Sequence, residues 1–147
     1  MLDHDGIAEL IPHRGAMCLL ARLEHWDNER IVCTATDQCN PQHPLRTRGG
    51  LMAPCAIEYA AQAMALHGAL LAQAAGASVS PGFLASARSV QLHVLRLDDL
   101  EGELRIEAMR QAGDDRQILY AFTVSHGGRP VVDGRAAVVL NTPITTS

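Results

Sequence analysis

Lysine is absent from the 147 residues, and all twelve cations are arginine. No function attaches to that choice, but the balance of charge is informative. The net charge of −4 is small and acidic, which argues against a nucleic-acid surface. No basic start followed by an apolar run opens the chain; Asp3, Asp5 and Glu9 stand there instead. A secretory signal is therefore not expected, and a cytoplasmic location with reduced thiols is. Cys18, Cys33, Cys39 and Cys55 form no C-x-x-C pair and the histidines are scattered, so no metal site is expected. Neither a P-loop nor a G-x-G-x-x-G turn occurs, and nucleotide chemistry has no support. Residues 51–75 are long enough to span a bilayer, but Glu58, Gln62, His67 and Gln73 interrupt them, so no membrane span is expected. No repeat or low-complexity linker divides the chain, and its length fits one domain, 1–147.

What is present centres on one carboxylate. Between Arg48 and Arg88 the only formal charge is Glu58. It lies in an Ala-rich segment with the composition of a helix buried on most faces. Two readings follow. A Glu stripped of hydration there must gain a partner or hold a proton, and a protonated carboxyl is a general acid. Alternatively, Glu58 lies on one exposed stripe and points at water.

The rest of the chain is arranged around that helix. Residues 7–11 make a short helical turn closed by Pro12. Residues 17–24 and 30–36 read as strands, with a turn at Asp27-Asn28. Residues 37–50, with Pro41, Pro44, Gly49 and Gly50, form a long loop, and loops of that length in compact domains are usually functional. Pro54 suits the first turn of a helix running to about Ala74, with Gly76 as its stop. Glu58 and Gln62 share one face; Ile57, Ala61, Met64, Gly68 and Leu71 line another.

After Pro81 the period changes to two. Val90, Leu92 and Val94 alternate with polar residues. So do Leu104, Ile106 and Ala108, then Ile118, Tyr120, Phe122 and Val124, then Val132, Gly134, Ala136, Val138 and Leu140. Asp98-Asp99, Gly113-Asp114-Asp115 and Gly127-Gly128 mark turns, so consecutive hairpins are expected. Two strands, one long helix and four strands make an α+β fold in which a curved antiparallel sheet wraps the helix.

Leu10-Ile11-Pro12-His13-Arg14 followed by Cys18-Leu19-Leu20-Ala21-Arg22 resembles the opening of the FabA/FabZ-type 3-hydroxyacyl-[acyl-carrier-protein] dehydratases. Ile57-Glu58-Tyr59-Ala60-Ala61-Gln62-Ala63 resembles their central helix, and residues 83–90 the strand after it. The nearest branch in this resemblance is the ApeP-like dehydratases associated with aryl-polyene synthesis. The resemblance implies a hotdog fold, a dimer, no cofactor, and dehydration of thioesters on an acyl carrier protein. It places Glu58 as the helix carboxylate that protonates the leaving hydroxyl or holds the water that does.

Dehydration also needs a base for the C2 proton, and the family uses a loop histidine. His43 is the only histidine in the corresponding loop, fifteen residues before Glu58 and one more than the family spacing. His43-Pro44-Leu45 aligns equally with a segment upstream of the family histidine, which leaves the catalytic position empty. His43 is thus either the base or a loop contact. Gly49, Gly50 and the turn into the helix near Cys55 are candidate amide donors for an enolate oxygen, and Gln62 a further substrate contact. Cys55 near a helix N-terminus is also a candidate nucleophile, beside its commoner reading as packing. An acidic carrier protein would need a local basic patch, for which Arg46, Arg48, Arg88 and Arg96 are candidates. Two other functions fit the pattern: a hotdog acyl thioesterase, or a non-catalytic subunit completing a heterodimeric dehydratase.

Overall fold

A computed structural model describes residues 2–12, 15–77, 82–114 and 116–140. His13, Arg14, Pro81 and Asp115, which enter the motif and turn readings, lie outside the described residues, as does the side chain of Leu140. The elements are α1 (His4–Leu10), β1 (Arg22–Trp26), β2 (Arg30–Ala35), α2 (Ala56–Ala74), β3 (Gly82–Leu92), β4 (Leu104–Gly113), β5 (Gln117–His126) and β6 (Arg129–Leu140). Short 3-10 turns at Gly15–Met17 and Ala53–Cys55 precede β1 and α2. The six strands form one antiparallel sheet in the order β1-β2-β4-β5-β6-β3. It curves around α2, the hotdog arrangement.

The alternating residues explain that arrangement. Leu104, Ile106, Ala108, Ile118, Tyr120, Phe122, Val124, Val132, Ala136 and Val138 are buried from the same sheet face. They close on Tyr59, Ala60, Ala63, Met64, Leu66 and Leu70 of α2. Small residues let the helix approach the sheet closely. A polar link crosses this core: His67 Nε2–H donates to the Asp27 carbonyl, and Nδ1 accepts from the Tyr120 hydroxyl, both at 2.7 Å. Burial pushes the Tyr120 hydroxyl up to about 12. The helix ends as Gly76 predicts. Gly76 has φ +68, its amide donates to the Gln73 carbonyl, and the Ala77 amide donates to Ala72.

Four expectations change. Residues 17–20 are not strand: their apolar run packs inward, but the Leu19 amide bonds a helix side chain instead of a neighbouring strand. α1 starts at His4 because Asp3 caps it, accepting from the Gly6 amide. The α2 face of Ile57, Ala61, Gly68 and Leu71 is half-exposed, and only Met64 of that set is buried. The sheet covers the adjacent face instead. Finally, β3 makes no hairpin with β4. It crosses to the far edge and pairs with β6. Two bulges disturb its alternation, and Phe83, Leu84 and Leu92 are exposed. Val94 lies beyond the end of the strand. Among the described residues, no helix is long and apolar enough to cross a membrane.

Candidate active site

α2 places Glu58 in its first turn, where the helix dipole favours a negative charge. Glu58 as a residue is half-buried. Behind it, Gln62 is fully buried, as the i+4 spacing allows. Gln62 Oε1 accepts the Leu19 amide at 2.8 Å, and Nε2 donates to the Met17 carbonyl at 2.7 Å. Nε2 also reaches Glu58 Oε1 at 3.4 Å. The backbone contacts fix which way the amide points, so a donor faces the carboxylate. Gln62 therefore stands one step behind Glu58, in a positioning place and not at the surface where a substrate would arrive.

A second constellation forms where β2 runs into the long loop. His43 is buried. Its Nδ1 accepts the Leu45 amide at 3.1 Å, and its Nε2 lies 2.9 Å from Tyr59 Oη. Tyr59 in turn donates to Asp37 Oδ1 at 2.7 Å. The tautomer follows: Nδ1 is unprotonated, and Nε2–H donates to the tyrosine oxygen. Asp37 Oδ2 lies 3.3 Å from the same nitrogen. Burial lowers the pKa of His43 below its ordinary value. Asp37 opposes that shift and Arg46 adds to it. Burial raises Asp37, against the pull of the Tyr59 hydrogen bond. The group borders a cleft of ≈ 380 Å³ lined also by His4, Cys18, Asn40 and Gln42.

Glu58 does not line that cleft. Glu58 and Tyr59 are consecutive on α2 and project about 100° apart. Both nitrogens of His43 are also engaged within the protein, which leaves no free lone pair for a substrate proton. Asp37 and Tyr59 had no signal in the sequence beyond their position at a strand end and beside Glu58.

The remaining predicted residues separate further. Arg48 and Gly49 are the exposed centre of a turn in which Thr47 and Gly50 exchange backbone hydrogen bonds. The Gly50 amide donates to the Thr47 carbonyl and the Cys55 amide to Met52, both at 3.0 Å. Neither is open to an enolate oxygen in this arrangement. Burial pushes the Cys55 thiol up, the wrong direction for a nucleophile. Gly50 has φ +105, and a Cβ there would lie 2.4 Å from Arg96 Nη2 and 2.7 Å from both Asp98 oxygens. Arg96 holds Asp98 through two hydrogen bonds, and Arg46 pairs with the same carboxylate at 3.5 Å. Asp98 also accepts the Leu51 amide at 3.1 Å. Its carboxyl is held well below the usual range, chiefly by Arg96. So Arg46 and Arg96 clasp the loop to the chain before β4, while Arg48 and Arg88 are exposed.

Residues 6–146 match the family model described as ApeP-like: ApeP dehydratase. The chain belongs to the ApeP-like dehydratase family. No curated protein matches it. Among solved structures, the dehydratase heterocomplex ApeI:P from Xenorhabdus doucetiae is similar at TM-score 0.83 and 22% identity, covering 97% of this chain and 93% of that one. A hypothetical thioesterase with coenzyme A from Streptococcus pneumoniae aligns at TM-score 0.58 and 12% identity, covering 82% and 84%. AziG from S. sahachiroi aligns at TM-score 0.53 and 16% identity, covering 81% and 89%. These likenesses carry the hotdog fold across dehydratase and thioesterase alike. The family match is what makes this hotdog chain a dehydratase type.

Proposed function

We propose that this ApeP-like chain dehydrates 3-hydroxyacyl thioesters carried on an acyl carrier protein, in aryl-polyene synthesis, as one half of a dimer with a related hotdog subunit. The carrying observation is Glu58, half-buried at the start of α2 with the fixed Gln62 amide behind it. In the reaction a base takes the C2 proton, the electrons move into the thioester carbonyl as an enolate, and they return to form the C2=C3 double bond as the C3–O bond breaks. Glu58, or a water that it holds, delivers a proton to the departing hydroxyl, which leaves as water. With His43 Nε2 engaged by Tyr59 of α2 and Nδ1 by the Leu45 amide, a C2 base from outside this chain is favoured over His43. A partner subunit supplies that group or the surface completing it.

The exposed edge of β3, with Phe83 and Leu84 at 59% and 38% exposure, offers the join, since long open edges seek a strand. The similar ApeI:P structure is a heterocomplex, which favours unlike subunits over a homodimer. The four cysteines are unpaired thiols, as suits a reducing compartment, and we place the protein in the cytoplasm.

The test is incubation with a 3-hydroxyacyl carrier-protein thioester, alone and with a partner hotdog subunit, read by intact mass. Loss of one water with the thioester intact is expected. Glu58→Gln lowers the rate by about two to four orders of magnitude, the usual scale for a lost general acid, and leaves the fold intact. Release of free acid instead would identify a thioesterase. Near-normal turnover of Glu58→Gln would make Glu58 structural.

A further inference from the structure

Arg88 of β3 and Arg135 of β6 stand directly opposite each other in the antiparallel register. Like charges placed so in a ladder repel, with Cβ atoms only about 5 Å apart. Among the described residues neither guanidinium has an acidic partner, although Arg22, Arg30, Arg46, Arg96 and Arg105 all do. Asp133, two residues along β6 from Arg135, is taken by His93 at 2.7 Å. The two arginines border a cleft with Ser86, Ser89, Gln111 and Gln117, and no described carboxylate lines it. The chain itself leaves this pair of charges unanswered.

A residue in a sheet has two cross-strand neighbours. On one side of Arg88 stands Arg135; on the other stands whatever strand adds to the β3 edge. β3 is exposed along most of both faces, Phe83, Leu84 and Leu92 included, which suits a strand that gains a neighbour. A second copy of this chain cannot bring the missing carboxylate. From Tyr59 to Leu97 the sequence holds no Asp or Glu, so β3 paired with β3 sets no acid opposite Arg88 in any register. A twofold pairing about Ala87, the middle of β3, adds repulsion. It places the two Arg88 side chains diagonally on one face, about 7–8 Å apart, with an Arg135 beside each. The edge is also bulged next to this point. Between Arg88 and Gln91 the partner on β6 moves only from Arg135 to Asp133, and Ser89 there has φ +53. Bulges of this kind turn an edge away from unselective strand addition.

Resting on the dimer reading above, we infer that Arg88, backed by Arg135, selects the partner subunit. It disfavours a second copy of this chain and favours an unlike hotdog subunit whose edge strand carries an acidic side chain opposite it. Juxtaposed like charges suppress the wrong partner, while a carboxylate in the same place adds attraction and forked hydrogen bonds. One residue thus acts on the two partners in opposite directions. Arg88 then serves assembly, where the sequence alone offered it as part of a basic patch for the carrier protein.

The experiment measures association and needs no turnover. Sedimentation equilibrium compares the wild-type chain alone, R88Q alone, and a trace of labelled wild type in excess R88E, the last standing in for an acid-bearing partner strand. Wild type alone is expected to self-associate weakly, and more tightly as salt screens the arginines. R88Q should self-associate at least about tenfold more tightly than wild type, with less dependence on salt. Labelled wild type should bind R88E at least about tenfold more tightly than it binds itself, and this preference should shrink as salt rises. Arg88 is exposed, so both variants should keep the wild-type circular dichroism. Equal self-association of wild type and R88Q would overturn the proposal. So would a tight wild-type homodimer, or binding to R88E no tighter than to wild type. Phe83→Lys in both members of the mixture tests the join separately. Loss of that dimer keeps the β3 join even where the charge effects fail, and its persistence removes the join and the selection together. Dimers that form as described but dehydrate nothing would sink the dehydratase reading alone.

Discussion

The Tyr59 hydroxyl donates to Asp37 at 2.7 Å and so fixes the direction of every proton in the buried chain that ends at His43. Because the tyrosine proton is committed to the carboxylate, the histidine must be the donor to the tyrosine oxygen. His43 is thereby held neutral and oriented, with its other nitrogen tied to the Leu45 amide. Tyr59→Phe is expected to release the imidazole without opening a large cavity. The loss of buried hydrogen bonds costs about 1–3 kcal/mol, seen as a lower denaturation midpoint. An unchanged midpoint would show that the chain carries no net stability.

Acid should weaken the fold through its buried histidines. Burial lowers the pKa of both His67 and His43 in the folded protein. The unfolded chain, with histidines near about 6.5, then binds more protons below that pH. Stability is full above this value and falls as pH drops through it toward the folded pKa values. Asp37 is shifted up, so its effect has the opposite sign, setting in above the ordinary carboxylate range and complete within it. Melting temperature should therefore decline from about pH 7 to about pH 5.5. His67→Gln should melt lower at pH 7 and show a shallower decline. An equal slope in the variant would exclude His67 from the effect.

Gly50→Ala is expected to destabilise by about 1–3 kcal/mol, the range for a side chain forced into a sparsely populated backbone region. The new methyl would also press on Arg96 and Asp98. Gly49→Ala, at an exposed turn position with its nearest foreign atom 3.8 Å away, should cost much less. Similar costs at both would assign the effect to the turn as a whole.

The four arginines once grouped for docking should divide in two. Arg96→Glu breaks the clasp on Asp98 and should lower the melting point. Arg48→Glu touches no such pair. It should weaken carrier-protein substrates more than short pantetheine analogues, with an effect that shrinks as salt rises, because exposed charges are screened over roughly 8–10 Å. Kinetics with both substrate types at two salt concentrations separate the cases. Equal losses on both substrates would leave Arg48 a loop residue.

The β3 edge carries its own test. Phe83→Lys should yield a monomer by sedimentation, since a charge on an open edge blocks strand addition. Persistence of the dimer would move the join elsewhere.

The inward residues of β4 and β5 were legible because period-two alternation reports burial directly, and they are buried as read, as are Val132, Ala136 and Val138 of β6, while Gly134 is half-buried. The helix and its glycine stop were legible for a similar local reason. The place of β3 was not: alternation says which face a residue takes, never which strand lies beside it. The apolar run at residues 17–20 read as strand because it is buried, but the hydrogen-bond partner of Leu19 is a side chain 43 positions away. Glu58 announced itself by isolation in charge. Asp37 and His43 meet Tyr59 across 22 and 16 positions, a proximity that only the wrapped sheet creates.

The grip of Gln62 on Met17 and Leu19 also supplies a reporter of local opening. Those two bonds close across 45 and 43 residues, so they form only once α2 has seated against the segment before β1. The Leu19 amide proton therefore records that seating. Its exchange with deuterium should track the opening of α2 from the sheet, and Gln62→Ala should make it exchange freely while the β4 and β5 amides stay protected.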